Sequence, residues 1–129
     1  MSVETRQVTV GEWLAAGMTL PAAWLPQFER QPVVGITATE CDEYAEKIGT
    51  RLPTWDESDQ TTIAPVGWWC ADVEGHRRVV RGGSWDFYQG AARAAYRVDY
   101  HPDYRYYFLG CRVVCVSPID PLNSKSSGL

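Results

Sequence analysis

No stretch of this chain is long and apolar enough to span a membrane, and its first ten residues, MSVETRQVTV, lack the basic-then-apolar order of a secretory signal. The expectation is a soluble protein without a signal peptide, cytoplasmic or virion-associated, and with no direct membrane insertion. A basic excess is missing too. The formal net charge is −4 and the sequence pI about 5.1, which argues against a nucleic-acid partner, because phosphate tracking draws on clustered Lys and Arg. Histidine is scarce: the chain has 2, His76 and His101, and neither stands in an HExxH, HxH or Cys/His ligand spacing, so no metal site is expected. The 4 cysteines, Cys41, Cys70, Cys111 and Cys115, form no CxxC pair, and reduced thiols are the expected state. Internal repeats, heptads and charge blocks are also lacking.

Catalytic patterns fail one by one. Ser84 follows two glycines, but GGSW is not the GxSxG elbow of a serine nucleophile. Gly82 and Gly83 are not followed by the Lys-Ser/Thr of a phosphate loop. Asp56, Glu57 and Asp59 lack the rest of a calcium loop. The chain is therefore expected not to be an enzyme and to carry no cofactor.

What is present fits one domain. With 129 residues, 45% hydrophobic and 22% charged, the chain can bury a single core. Thr9 followed by Glu12 is a capping-box spacing that predicts a short helix over residues 10–16, stopped at Gly17, with Trp13 and Leu14 turned inward. Thr37 and Glu40 repeat the spacing ahead of Cys41, Tyr44, Ala45 and Ile48, which recur at i, i+3, i+4 and i+7 before Gly49. Pro21, Pro26 and Pro32 break regular structure between the two helices. A strand is expected over residues 76–80, a backbone bend at Gly82-Gly83, and an apolar terminal strand over 110–116. The sum is a small α+β domain, two short helices flanking a small, mostly antiparallel sheet with much irregular loop. It covers residues 1–117, with a flexible tail over 118–129.

The unusual feature lies in residues 84–112. Within it SWDFYQGAARAAYRVDYHPDYRYYFLGC, residues 84–111, holds 6 of the 7 tyrosines and no lysine, glutamate or methionine. Its rings mix with charges and a proline in no steady period of two or 3.6, which argues against a plain core strand or helix. Tyrosine combines a rigid apolar body with a polar tip, so it gives contact area at low entropic cost, as in antibody paratopes. Interleaved arginines, Arg81, Arg93, Arg97, Arg105 and Arg112, are framework candidates, because a planar fork with five donors can tie several loop carbonyls together.

Two blocks resemble domains of the formylglycine-generating-enzyme (sulfatase-modifying factor) type. PVVGITATECDEYAEKIGTRLPTWDE, residues 32–57, is similar to the family's helix followed by Gly-x-Arg-Leu-Pro-Thr. VVRGGSW with ARAAYR and GCRVV resembles its Arg-Gly-Gly-Ser, Arg-x-x-x-Arg and Gly-Phe-Arg signature. The resemblance implies a compact C-type-lectin-like fold. Where the family's oxidases carry catalytic cysteines after Arg-Gly-Gly-Ser, this chain has Asp86, Phe87, Tyr88, Gln89 and Gly90. Where calcium ligands are expected, it has Pro65-Val66-Gly67-Trp68-Trp69.

The aromatic segment more narrowly resembles the variable region of diversity-generating retroelement proteins, in which error-prone copying replaces template adenines, commonly at asparagine codons ending in a pyrimidine. The exchangeable positions would be Asp86, Phe87, Tyr88, Tyr96, Val98, Asp99, Tyr100, His101, Tyr104, Tyr106, Tyr107 and Phe108. All of these residue types can be encoded with a terminal pyrimidine; Lys, Glu, Gln, Met and Trp cannot, and none stands there. The fixed frame would comprise Arg81, Gly82, Gly83, Ser84, Trp85, Arg93, Ala94, Ala95, Arg97, Pro102, Asp103, Arg105, Gly110 and Arg112. What the resemblance implies is a non-enzymatic ligand-binding, receptor-binding or display protein of phage or prokaryotic type. Its ligand would be a protein or cell-surface molecule, with homo-oligomerisation or a fused display partner adding avidity. The competing expectation is a degenerate formylglycine-generating-enzyme-like protein with a catalytic or structural role.

Overall fold

The computed structural model describes residues 3–21, 26–57, 66–82 and 98–115. Among these, chain order is β1 (Thr5–Gln7), α1 (Val10–Ala15), α2 (Ala38–Lys47), β2 (Gly67–Glu74), β3 (Arg77–Arg81), β4 (Val98–Tyr100), β5 (Leu109–Gly110) and β6 (Arg112–Val114). This is a small α+β fold.

Both helices begin as their capping boxes dictate. The Thr9 hydroxyl accepts from the Glu12 N–H at 3.2 Å while the Glu12 carboxylate accepts from the Thr9 N–H at 3.0 Å. Thr37 and Glu40 repeat the exchange at 3.0 and 2.9 Å, satisfying amide donors that the first turn leaves without an intrahelical partner. Gly17 and Gly49 follow the C-terminal turns at φ +87° and +82°, a conformation that glycine adopts without penalty. The inward faces are narrower than the sequence pattern suggests. Trp13 is fully buried and stacks on Tyr44 with centroids 5.3 Å apart, whereas Leu14 is 48% exposed. Cys41, Tyr44 and Ala45 are buried, but Ile48 is 40% exposed. In so short a helix only one side meets the core, and Leu14 directly follows the residue that faces it; Ile48 sits at the C-cap, where the turn is already opening.

β2 is one of the two inner strands of a four-stranded sheet ordered β4-β3-β2-β5. It pairs antiparallel with β3, with Trp68 opposite Arg81 and Trp69 opposite Val80, and parallel with β5 through Gly67–Leu109 and Trp68–Gly110. The sequence reading placed no strand here. GWWC has no alternation because both faces are covered: Trp69 joins the main core with Val80, Leu109 and the two helices, while Trp68, Cys70 and Val79 form a second cluster with Trp55 behind the sheet. A strand buried on both faces reads as a continuous apolar run. β3 begins one residue later than expected, since His76 lies in the β2–β3 turn.

The expected single strand over 110–116 is in fact two short ones in different sheets. β5 belongs to the four-stranded sheet, whereas β6 pairs antiparallel with β1, Thr5 opposite Val114 and Gln7 opposite Arg112. The crossing is fixed at Gly110 and Cys111. A Cβ on Gly110 would lie 2.4 Å from the Val33 carbonyl oxygen, and the Cys111 carbonyl accepts from the Val8 N–H at 2.9 Å. The β1–β6 pairing brings the two ends of the described chain together, with the Cys115 N–H donating to the Glu4 carbonyl at 2.8 Å. All four cysteines are free thiols, three of them buried. No helix among the described residues is long and apolar enough to cross a membrane. The expected tail over 118–129 lies outside the described residues.

Candidate functional site

Residues 98–110 leave the sheet as β4, turn twice and re-enter it as β5. β4 is held to β3 by the pairs Arg78–Tyr100, Val79–Asp99 and Val80–Val98, and the Arg77 Nε donates to the Asp99 carboxylate at 2.7 Å. The His101 carbonyl accepts from the Tyr104 N–H at 3.3 Å to close the first turn, and the Tyr106 carbonyl accepts from the Leu109 N–H at 3.0 Å to close the second.

The loop is docked on the N-terminus of α2. There the Ala38 N–H donates to the Pro102 carbonyl at 2.9 Å. Arg105 reaches the Glu40 carboxylate with both terminal nitrogens, at 2.6 and 2.9 Å, and the Gly35 carbonyl at 3.4 Å. Glu40 thus serves twice: one carboxylate completes the capping box and receives the arginine fork. Burial tends to raise its pKa, but the hydrogen bonds from Arg105 and Thr37 outweigh that and hold it below the ordinary carboxylate value.

On this frame the rings form one continuous run graded from core to solvent. Trp69, fully buried, lies 6.0 Å from Tyr106; Tyr106 lies 4.8 Å from Tyr100 and 5.6 Å from Phe108. Tyr100, Tyr106 and Phe108 are half-buried and pack against the main core, and burial pushes the Tyr106 phenol up. Outward of them, Tyr104 lies 6.1 Å from Tyr106 and stacks on His101 at 4.5 Å and 20-odd degrees from parallel, with Tyr107 edge-on to Phe108 at 5.3 Å. Tyr104 and Tyr107 are 59% and 57% exposed. Three of these five tyrosine and phenylalanine rings, Tyr100, Tyr106 and Phe108, thus hold the loop to the core, and two, Tyr104 and Tyr107, face solvent. The alternation of inward and outward rings follows the two turns, which no fixed period describes.

Among the framework candidates, Arg81 is buried, donates to the Trp55 carbonyl and stacks over the Trp55 ring at 3.9 Å. Gly82 turns at φ +81°, and a Cβ there would strike the Trp68 ring at 2.1 Å. Arg112 donates to the Thr5 hydroxyl and carbonyl at 3.1 and 3.2 Å, tying β6 to β1. Val98 lies in β4. Gly83, Ser84, Trp85, Asp86, Phe87, Tyr88, Arg93, Ala94, Ala95, Tyr96 and Arg97 lie outside the described residues.

Two groups were missed by the sequence reading. Arg78 is buried in β3, donating to the Cys70 carbonyl at 3.1 and 2.8 Å and forking onto Asp42 of α2 at 2.7 and 3.1 Å. An arginine inside the valine-rich run RRVVR was the available signal. Thr54 and Glu57 form a third reciprocal Thr-x-x-Glu box, at 2.9 and 3.2 Å, with Arg51 forked onto Glu57 at 2.7 and 2.8 Å. The spacing in TWDE was legible, yet it closes a turn here.

Among the described residues, no cluster of His, Cys, Asp and Glu could hold a metal ion. No protein-family model and no curated protein sequence matches the chain.

Proposed function

We propose that the chain is a non-enzymatic ligand-binding protein, with residues 84–112 as a diversified recognition surface on a C-type-lectin-like frame and a protein or cell-surface molecule as its target. The observation that carries this reading is the placement of four residues within 101–107, two that dock the loop and two that face solvent, while Tyr106, also on the exchangeable side, packs inward. Pro102 and Arg105, on the fixed side of the inferred pattern, make the contacts that dock the loop on α2. Tyr104 and Tyr107, on the exchangeable side, are the well-exposed rings. A loop built this way keeps its backbone geometry while its outward side chains change.

Rigid rings with a polar tip suit that task, and a few of them dominate affinity in surfaces of this kind. The deciding experiment is sequencing of the DNA around the coding region. A near-copy of codons 84–112 that differs only where the copy has adenine, beside a reverse-transcriptase gene, is the expected finding. Isolates should then differ at codons 104 and 107 while codons 102 and 105 stay constant. If no such copy exists and variation falls evenly over both sets, the diversified-surface reading fails.

A further inference from the structure

Among the described residues, the charged side chains of the aromatic turn are ion-paired except at Asp103. Arg77 is paired with Asp99 and Arg105 with Glu40. Asp103, exposed at the corner between His101 and Tyr104, makes no ion pair among the described residues. Its backbone N–H donates to His101 Nδ1 at 3.2 Å, so in this geometry that nitrogen is an acceptor and the imidazole holds the corner in place. The His101 ring that holds the Asp103 backbone is stacked on Tyr104, and Tyr104 and Tyr107 are 59% and 57% exposed.

Aromatic faces carry negative potential and attract cations seated within about 6 Å of the ring centre. A nearby carboxylate without a partner adds charge-assisted hydrogen bonds. The combination, in a chain of net charge −4, is complementary to a cation and unfavourable to an anion. Of the two protein cations, a guanidinium fits better. Its plane can lie on the Tyr104 ring while its edge donates a fork to Asp103, whereas an ammonium is a point charge that cannot present a stacking plane and a fork together.

We infer that the 101–107 turn receives an arginine side chain presented by a partner protein, stacked on Tyr104 and held by Asp103. The inference deepens the ligand-binding proposal and rests on it. Asp103 belongs to the fixed side of the inferred pattern, whereas His101 and Tyr104 belong to the exchangeable side, so the hook is complete in this chain and the rings around Asp103 decide whether an arginine-bearing surface is accepted.

The test is an NMR titration of the isotope-labelled full chain with three blocked tripeptides, acetyl-Gly-Arg-Gly-amide, its lysine counterpart and its glutamate counterpart. The arginine peptide is expected to shift the amides of Asp103, Tyr104 and Tyr107 saturably and to show upfield ring-current shifts of its own Cδ protons. The lysine peptide should bind more weakly and the glutamate peptide should leave these amides in place. Asp103→Asn and Tyr104→Ala should each weaken the arginine peptide by about fivefold or more, while Asp103→Glu retains most of the affinity.

Equal shifts with the glutamate peptide, indifference to Asp103→Asn in a folded variant, or no saturable shift at about 50 mM arginine peptide overturns the inference, since one such contact supports millimolar binding. Failure here is distinguishable from failure of the broader proposal. A protein target captured from a panel of purified cell-surface proteins that needs Tyr104 and Tyr107 but ignores Asp103→Asn sinks only the arginine hook. Saturable arginine binding without any template copy of codons 84–112 sinks only the diversification.

Discussion

Arg105→Ala is expected to destabilise the chain by about 1.5 kcal/mol and to loosen the aromatic loop more than the core. The two guanidinium contacts to Glu40 measure 2.6 and 2.9 Å, and the side chains are 32% and 23% exposed. Charges about 4 Å apart at an effective dielectric constant of about 20 attract by about 4 kcal/mol before costs. Ordering the long arginine side chain takes back up to about 2 kcal/mol, and partial desolvation of both ions takes more. A net of about 1 to 2 kcal/mol results, above the usual range of exposed pairs and below the cost of breaking a buried one. Glu40→Ala removes the same pair and also the acceptor for the Thr37 N–H at 2.9 Å, so its expected cost is about 2.5 kcal/mol, the extra kilocalorie or so being the helix cap. The double variant should cost no more than Glu40→Ala alone, giving a coupling of about 1.5 kcal/mol.

Urea unfolding of the four proteins measures that cycle, and native-state hydrogen exchange locates it. The Ala38 amide, which donates to Pro102, should exchange faster in Arg105→Ala while the Trp69 amide in β2 changes only with global stability. A coupling below about 0.3 kcal/mol would mean that the fork holds nothing. Unchanged protection at Ala38 would mean that the loop is docked by its rings alone. Either result would refute the assignment of Arg105 as the tether.

The graded ring run predicts a split in alanine variants. Tyr106→Ala should cost about 2 kcal/mol in a urea titration, because it removes a half-buried ring wedged between Trp69, Tyr100 and Phe108, whereas Tyr104→Ala and Tyr107→Ala should stay within about 0.5 kcal/mol of the parent. Equal costs at the three positions would count against the gradient. Gly110→Ala forces a Cβ to 2.4 Å from the Val33 oxygen and should cost about 3 kcal/mol or abolish folding; an unshifted thermal midpoint would contradict the close approach.

On acidification, Glu57 should weaken the fold. The Arg51 fork and the Thr54 N–H bring its pKa from 4.5 to about 2, so its contribution is complete above the unfolded value of 4.5 and is lost as pH falls toward about 2. Arg51→Gln should flatten that part of the stability profile, and a profile as steep as the parent's would remove Arg51 as the cause.

Features encoded by neighbours in sequence were legible from sequence alone. Both capping boxes and both helix-stopping glycines are short-range patterns whose hydrogen bonds span three residues, and they form as the spacing dictates. The separation of Arg105 from the tyrosines beside it was also legible, because a planar five-donor cation among rings and carbonyls implies a tie. Its partner was not: Glu40 lies 65 positions away. Thr5, which receives Arg112, lies 107 away, and the placing of Gly110 against Val33 depends on the same long closure.

Tertiary structure alone decided which faces are covered. GWWC became an inner strand because clusters form on both of its sides, and Leu14 and Ile48 turned outward because the helices touch the core along a single narrow line. It also divided the rings, placing Tyr106 against Trp69 and leaving Tyr104 and Tyr107 to solvent. The sequence determined that this chain has two capped helices and a ring-rich, arginine-laced loop, since those follow from local hydrogen bonding and residue chemistry. Which rings support the loop and which face solvent depends on burial, and burial exists only once distant segments have come together.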